Sequence, residues 1–278
     1  MSTIATLLRE AVSQLDSSDS AALDAEILLC LALERPRSHL RAWPNRKPEQ
    51  RQIRHFQALL QQRRQGTPIA YLTGRREFWS REFQVTPEVL IPRPETELLI
   101  EISLSLFPKD QPANIIDLGT GSGIIAITLA KELPGAAVTA TDLSLTALNV
   151  AKRNAADHRA DHIRFLYSNW FNAVPPVNFD LVISNPPYIA EDDRHLGQGD
   201  VRFEPRTALT APRQGLADIQ TIADAARRYL KTGGHLLIEH GFDQEQAVQS
   251  IFRDLGYDSV RTHKDLSGQP RATYGKNC

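Results

Sequence analysis

The residues best suited to chemistry in this sequence form the tetrapeptide Asn185-Pro186-Pro187-Tyr188, which directly follows the apolar run 181–183. Consecutive prolines cannot donate backbone hydrogen bonds, so a strand through the apolar run must end here. Each proline also keeps its predecessor extended, which holds Asn185 and Pro186 open. The result is a stiff rim carrying an amide side chain, a carbonyl without a partner and an aromatic ring. An ordinary Asn-Pro turn is the alternative interpretation.

A glycine-rich loop is the second feature with chemical potential. Residues 117–123 read DLGTGSG and lie at the first predicted strand-to-helix crossing, where open α/β sheets bind ligands. Glycines there let the backbone approach a ligand closely. A dinucleotide fingerprint would have glycine or alanine where this chain has Ile124, so the spacing favours a nucleoside without a pyrophosphate.

Three further side chains fit the same nucleoside. Asp142 ends the second predicted strand, and its carboxylate has acceptor capacity for both ribose hydroxyls. Capping of the following helix is the alternative role for Asp142. Behind the third strand, Trp170 would lie beside the adenine and Asn169 would accept from the adenine amino group. Core packing is the alternative role for Trp170.

The tetrapeptide follows the fourth predicted strand, which neighbours the first in this topology, so the rim faces the glycine loop across one crevice. A methyl group transferred across this crevice to an amide or exocyclic amine must reach a nitrogen whose lone pair is delocalised. The Asn185 side-chain oxygen and the Pro186 carbonyl would accept from both N–H groups of the substrate and stabilise positive charge growing on nitrogen. Tyr188 would pack on the planar substrate group. No strong base is needed, because the proton becomes acidic once the methyl has moved, and the eight histidines form no catalytic or metal-binding pattern.

The elements that position these residues alternate along the chain. Strands are predicted at 114–118, 137–141, 163–167, 180–184 and 234–239, and helices at 123–133, 144–156 and 215–230. Residues 259–265 and 271–276 predict an antiparallel hairpin. We therefore predict an α/β fold with a doubly wound, mostly parallel, seven-stranded sheet that ends in an antiparallel hairpin, the usual plan of S-adenosylmethionine-dependent methyltransferases.

A small helical domain precedes this sheet. Residues 1–73 predict helices over 4–15, 22–33 and 48–65, and they contain no nucleophile-base pair or ligand cluster, which indicates recognition. Residues 74–92 predict a β-hairpin connector. A helix opening at Pro94 and running to about Phe107 then begins the methyltransferase domain, 93–278.

Charge and composition limit the class of protein. The net charge is −1, yet residues 35–81 hold twelve Lys or Arg against two acids, a net charge of +10. This asymmetry indicates an acidic or nucleic-acid-bearing partner, with a solvated helix face as the alternative. Two cysteines give no disulfide framework, and no signal peptide or membrane-spanning run is apparent. We expect a cytoplasmic monomer without membrane association, bound metal or stable nucleic-acid binding.

The sequence closely resembles the release factor glutamine methyltransferases, the protein-(glutamine-N5) methyltransferases that modify class-1 peptide chain release factors. The resemblance covers nearly the whole chain and rests on residues 66–74, 91–97, 119–123, 185–188, 204–209, 238–241 and 264–268. DNA and RNA amino-methyltransferases share the tetrapeptide. The segment 91–97, which reads IPRPETE, and the helical N-terminal domain separate this family from them.

The resemblance implies that the substrate is the glutamine of the Gly-Gly-Gln motif of release factors, whose methylation tunes translation termination. It implies glutamine contacts at Asn185, Pro186, Pro187 and Tyr188. It implies S-adenosylmethionine contacts at Gly119, Thr120, Gly121, Ser122, Gly123, Asp142, Asn169, Trp170 and Asn185. Asn169 departs from the family, which often has aspartate there, but an amide still accepts from the adenine amino group. The basic segment would then dock the release factor.

Two other functions are compatible with these residues. A nucleic-acid adenine or guanine amino-methyltransferase would use the same tetrapeptide and grip its substrate with the basic segment. A regulatory or assembly protein would bind the cofactor without catalysis. A dehydrogenase is disfavoured by Ile124.

Overall fold

The structure, a computed structural model, describes residues 2–15 and 18–278. The chain forms two compact units. The smaller consists of Met1–Arg75 and Gly197–Phe203, and the larger of Arg76–Leu196 and Glu204–Cys278. The segment Gly197–Phe203 follows the Asn185 tetrapeptide in the chain and yet belongs to the smaller unit.

The smaller unit is helical, as the sequence predicts. Its helices α1–α5 are Ile4–Gln14, Ala21–Leu33, Arg37–Ala42, Gln50–Arg64 and Ile69–Thr73. The three predicted helices are confirmed as α1, α2 and α4, which bury Leu7, Leu28 and Phe56 in one core. The short helices α3 and α5 were not predicted, because each spans too few residues to show a helical period.

The predicted connector contains a hairpin. Strands β1 (Arg75–Phe78) and β2 (Arg81–Gln84) form a two-stranded sheet. The two residues between them, Trp79 and Ser80, have φ values of 51° and 55°. Left-handed conformations at both central residues match the twist of hairpin strands.

The larger unit contains the predicted alternation of strands and helices. After a 3₁₀ turn at Pro94–Thr96, its helices α6–α10 are Glu97–Leu106, Ile124–Glu132, Leu145–Asp157, Ala217–Ala226 and Glu245–Asp254. Its strands β3–β9 are Ala113–Leu118, Ala136–Asp142, Arg164–Tyr167, Phe179–Ser184, Leu230–Glu239, Asp258–Lys264 and Pro270–Lys276. Helix α10 was not predicted from the sequence.

Strand order confirms the predicted fold class. The seven strands run β5-β4-β3-β6-β7-β9-β8, and only β9 and its neighbours pair antiparallel. Helices cover both faces of the sheet, so adjacent residues of one strand enter different cores. Ile115 belongs to one buried cluster and Ile116 to the other, and neither is exposed. Burial on both faces explains the nearly continuous apolar runs of the parallel strands.

Register brings the chemically interesting loops together. β3 lies between β4 and β6, with Leu118 paired to Thr141 on one side and to Ser184 on the other. All three strands run parallel, so the glycine loop, Asp142 and Asn185 leave the sheet at the same edge. Strand order reverses direction at β3, and such switch points are where open α/β sheets bind ligands.

Candidate active site

A cavity of about 730 Å³ opens at this edge within the larger unit, a volume typical of small-molecule sites. Seven of the predicted site residues line it, namely Gly119, Gly121, Asp142, Asn169, Trp170, Asn185 and Pro187. The cavity lining does not include the other five, which are Thr120, Ser122, Gly123, Pro186 and Tyr188. The structure therefore places the glycine loop, the acidic residue and the tetrapeptide around one space.

Within the glycine loop, Gly119 and Gly123 are constrained for different reasons. Gly119 has φ 72°, and a Cβ there would lie 3.3 Å from Cζ3 of Trp170, so glycine keeps the cavity wall open. Gly123 has φ 87°, and a Cβ there would lie 2.9 Å from Cδ1 of Ile127 and 3.1 Å from Cβ of Ala151. Gly123 therefore permits close packing between the start of α7 and α8 rather than contact with a ligand.

Asp142 is held in place and still has acceptor capacity. Its Oδ2 accepts from the backbone N–H of Gly121 and its Oδ1 from that of Ser144, both at 2.8 Å. Ser144, not Asp142, caps α8, since its hydroxyl accepts from the N–H of Ala147. Each carboxylate oxygen keeps a free lone pair beside the cavity. Burial raises the pKa of Asp142, while the backbone hydrogen bonds oppose that rise.

Trp170 combines both roles that the sequence left open. It packs against the cluster under the sheet, and it also lines the cavity beside Gly119. Its φ is 47°, an uncommon value for a bulky residue, and Asp218 lines the same cavity. Asn169, immediately before it, is exposed at the cavity wall. Trp170 therefore presents a flat aromatic side chain, and Asn169 an amide, to the same cavity.

Asn185 and Pro187 of the tetrapeptide form another part of the cavity wall. β6 ends at Ser184, whose hydroxyl donates to the carbonyl of Leu118 at 2.7 Å and ties the two loops together. The Nδ2 of Asn185 donates to Oγ1 of Thr96 at 3.2 Å. Across the described ranges, no donor bonds the carbonyl of Pro186. Tyr188 packs into the core instead of lining the cavity, and its hydroxyl donates to Oε1 of Glu239 at 3.3 Å.

Asp117 supports the glycine loop from inside the protein, a role that was not predicted from the sequence. Its side chain is buried, and its Oδ2 accepts from the Thr120 hydroxyl at 2.6 Å and from the N–H of Ala126 at 3.2 Å. Burial raises the pKa of Asp117 to about 7. Thr120 therefore shapes the loop through Asp117. The sequence did contain a sign of this role, because Asp117 is an acidic residue near the end of a predicted buried strand.

Two chain segments far apart in sequence complete the cavity, and neither was predicted to line it. They are residues 87–90 and the residues Pro205, Thr207 and Ala208. Glu204 joins them, because its buried carboxylate accepts from the N–H of Ile91 at 3.0 Å and from Arg93 at 2.5 Å. Leu143, which is 60% exposed, also lines the cavity. Residues 91–97 and 204–209 carry part of the family resemblance and adjoin or overlap this lining, so they could have pointed to it.

Within the described ranges, no helix is long and apolar enough to cross a membrane. The same residues contain no group of three or more His, Cys, Asp or Glu side chains placed to hold a metal ion.

Fold and cleft together define a methyltransferase. Residues 95–199 match the family model described as methyltransferase small domain, and residues 6–74 match the PrmC N-terminal domain. A methyltransferase from Pyrococcus furiosus shares the fold at TM-score 0.54 and 18% identity, covering 79% of this chain and 96% of its own. The 16S rRNA N2 G1207 methyltransferase of T. thermophilus also has TM-score 0.54, at 19% identity over 73% of this chain and 50% of its own.

Curated relatives identify the family more narrowly. The release factor glutamine methyltransferase of Shewanella oneidensis is 46% identical over 99% of this chain and 96% of its own length. That of Escherichia coli K12 is 47% identical over 97% of each. The chain belongs to the release factor glutamine methyltransferase family, as its sequence motifs predicted.

Proposed function

We propose that this protein transfers a methyl group from S-adenosylmethionine to the side-chain amide nitrogen of the Gly-Gly-Gln glutamine in class-1 release factors. The observation that carries the proposal is the position of Asn185 and Pro187 on one cavity with Gly119, Gly121 and Asp142. Family membership narrows the acceptor from any planar amine to a protein glutamine.

The residues of the cavity fit S-adenosylmethionine. Gly119 and Gly121 both have positive φ and leave their side of the cavity without a Cβ. Asp142 offers two acceptor positions for a ribose diol, and Trp170 with Leu143 offers apolar surface for an adenine. Asn169, which is exposed at the cavity wall, would accept from the adenine amino group. When bound, S-adenosylmethionine supplies an electrophilic methyl group on a sulfonium.

On the substrate side, the chain provides acceptors rather than a base. The side-chain oxygen of Asn185 and the carbonyl of Pro186 would receive the two N–H groups of the glutamine amide. Those hydrogen bonds turn the nitrogen lone pair toward the methyl group and strengthen as positive charge develops, so they favour the transition state over the ground state. Tyr188 lies outside the cavity lining, so packing of its ring on the glutamine amide stays a prediction.

We infer that the release factor docks on the basic segment, residues 35–81, through the cations that lie in the smaller unit. Arg35, Arg46, Lys47, Arg51 and Arg54 are exposed in the structure. Arg63, in contrast, is engaged inside its own unit by Asp24 at 2.8 Å and by Asp200 at 3.0 Å. Exposed cations attract an acidic partner surface, and such steering weakens with salt.

Peptide mapping by mass spectrometry tests the proposed reaction. Purified release factor is incubated with the protein and S-adenosylmethionine, and the Gly-Gly-Gln peptide is expected to gain one methyl group on glutamine. A release factor with that glutamine replaced by alanine is the matched control and should gain none. Transfer of labelled methyl to tRNA, rRNA or DNA without transfer to release factor would refute the proposal in favour of the nucleic-acid alternative.

A further inference from the structure

A buried glutamine anchors the backbone directly after the two prolines of the tetrapeptide. The carbonyl of Tyr188 accepts from Nε2 of Gln244 at 2.9 Å, and the carbonyl of Gln214 accepts from the same nitrogen at 3.0 Å. Oε1 of Gln244 accepts from the N–H of Gly241 at 2.8 Å. Gln244 is only 8% exposed, so these bonds form away from bulk water. Three parts of the chain therefore meet at one side-chain amide.

We propose that Gln244 and Gly215 are positioning residues that fix the backbone of Tyr188. The fixed backbone holds the carbonyl of Pro186 in the direction from which it would accept from the substrate amide. This inference rests on the proposed function, and it concerns how the acceptor is held rather than whether it acts. Neither Gln244 nor Gly215 belongs to the cavity lining, so both act through Tyr188.

The partners of Gln244 leave its amide a single orientation. Tyr188 and Gln214 present carbonyl oxygens, which only accept, and Gly241 presents an N–H, which only donates. An inverted amide would place an oxygen against two oxygens and an NH₂ group against an N–H. The side chain also extends from a helix terminus, since Gln244 caps α10 and its carbonyl accepts from the N–H of Val248 at 3.0 Å. One N–H of the amide is therefore available for each carbonyl.

Glycine at position 215 permits this contact. Gly215 has φ 82°, and a Cβ there would lie 1.9 Å from the carbonyl oxygen of Tyr188 and 2.8 Å from Nε2 of Gln244. A side chain at this position would therefore displace both atoms of the hydrogen bond. The carbonyl oxygen is part of the backbone, so it cannot rotate away as the end of a flexible side chain can. The absence of a Cβ is thus a condition for holding Tyr188 in this place.

A bridge at the next residue holds the same segment. The N–H of Ile189 donates to the carbonyl of Leu209 at 2.9 Å, and the carbonyl of Ile189 accepts from the N–H of Ala211 at 3.0 Å. The carbonyls of Tyr188 and Ile189 are thus both paired. Within the described ranges, in contrast, no donor bonds the carbonyl of Pro186. The proposed acceptor is therefore left for the substrate, while the chain after it is tied down.

The two prolines link the anchored residue to the cavity. The ring of each proline fixes its φ at about −65°, so few free torsions separate the carbonyl of Tyr188 from that of Pro186. A shift of Tyr188 therefore moves the Pro186 carbonyl instead of being taken up by rotation. A misplaced acceptor weakens a hydrogen bond that strengthens as positive charge grows on the substrate nitrogen. Loss of the anchor should therefore lower kcat more than it raises KM.

Gln244→Met tests the anchor with an apolar side chain of similar length. Methionine has no NH₂ group, so the carbonyl of Tyr188 loses its partner and can move. We expect kcat with release factor to fall by about 10- to 100-fold, the cost of misplacing a group at the reacting centre by about 1 Å. The KM for release factor and the Kd for S-adenosylmethionine should each stay within about threefold. A Gln244→Met enzyme with wild-type kcat would overturn the inference.

Asn277→Leu is the matched control for loss of a buried amide. Asn277 follows β9 at the opposite edge of the sheet, is 5% exposed, and its Nδ2 donates to the carbonyl of Leu230 at 3.2 Å. Both substitutions leave a backbone carbonyl without this donor, so both should lower Tm. Measured well below both Tm values, kcat should fall for Gln244→Met only. Equal losses of kcat would indicate general destabilisation and would refute the positioning role.

Gly215→Ala displaces the Tyr188 carbonyl from the other side. Gly268→Ala is its control, since Gly268 has φ 77° and a Cβ there would meet no atom within 4 Å, so only the backbone strain is reproduced. Gly215→Ala should lower kcat at least as much as Gln244→Met, and Gly268→Ala should leave it within about twofold. A folded Gly215→Ala protein with wild-type kcat would contradict the inference. If the wild-type protein methylates no release factor, the proposed function fails; if it does and the Gln244→Met and Gly215→Ala variants are equally active, only the positioning role fails.

Discussion

Replacement of Asp142 by asparagine tests the proposed cofactor site without any need for the protein substrate. In the structure, each oxygen of the carboxylate already accepts one backbone N–H at 2.8 Å, from Gly121 or from Ser144. One remaining lone pair on each oxygen is proposed to accept a ribose hydroxyl. In Asp142→Asn, one of those oxygens becomes an NH₂ group. This NH₂ group faces the backbone N–H of Gly121 or Ser144, so two donors meet. It also offers a donor to the ribose hydroxyl, where the carboxylate offered an acceptor.

The expected magnitude follows from the hydrogen bonds that are lost. A hydrogen bond to a charged group contributes about 1.5–3 kcal/mol, so loss of one ribose contact weakens S-adenosylmethionine binding by about 10- to 150-fold. The backbone N–H that faces the new NH₂ group is also left unpaired, which costs the fold about 1–3 kcal/mol. Tm should therefore fall together with affinity, and the two effects must be measured separately.

Isothermal titration calorimetry at a temperature well below the Tm of the variant gives the affinity of the folded protein. Asp161→Asn is the control, since Asp161 is exposed and lies outside the cavity lining. It removes the same charge and should leave Kd unchanged. A folded Asp142→Asn protein that binds S-adenosylmethionine within about twofold of wild type would remove Asp142 from the ribose site.

Three other substitutions probe separate parts of the molecule. Asn185→Ala should lower kcat by at least about 100-fold and leave the calorimetric Kd for S-adenosylmethionine within about tenfold; a variant that keeps most of its activity would contradict the acceptor role. Gly123→Ala should lower the free energy of unfolding by more than about 1 kcal/mol in denaturant titrations, because alanine is strained at φ 87° and its Cβ would clash with Ile127. Unchanged stability would be inconsistent with that packing. Glu239 should favour the folded state less as pH rises from 4.5 to about 7, because the folded protein binds this proton more tightly than the unfolded chain does. Relative to Glu239→Gln, the unfolding free energy of wild type should fall across that window by on the order of 3 kcal/mol, and parallel pH profiles would refute the raised pKa.

The alternation of strands and helices was predictable from sequence because burial on both faces leaves continuous apolar runs. Residues 113–118 and 179–184 show this pattern, and each is followed by residues that stop a strand, glycines in one case and prolines in the other. Asp142 and Asn185 could be placed at one edge from strand order alone. The short helices α3 and α5 could not be found, since a segment of five or six residues carries too little periodicity.

The amino-acid sequence by itself determined the family, the parallel sheet and seven of the residues that line the cavity, because each of these follows from local patterns and motif blocks. Tertiary structure alone decided how Asn185 is held. Thr96 precedes it by 89 positions, and Glu239 follows Tyr188 by 51. The same is true of the cavity wall that Glu204 ties to residue 91, 113 positions earlier. No local periodicity encodes such contacts, since they depend on strand order and on which loops the folded sheet brings to one edge.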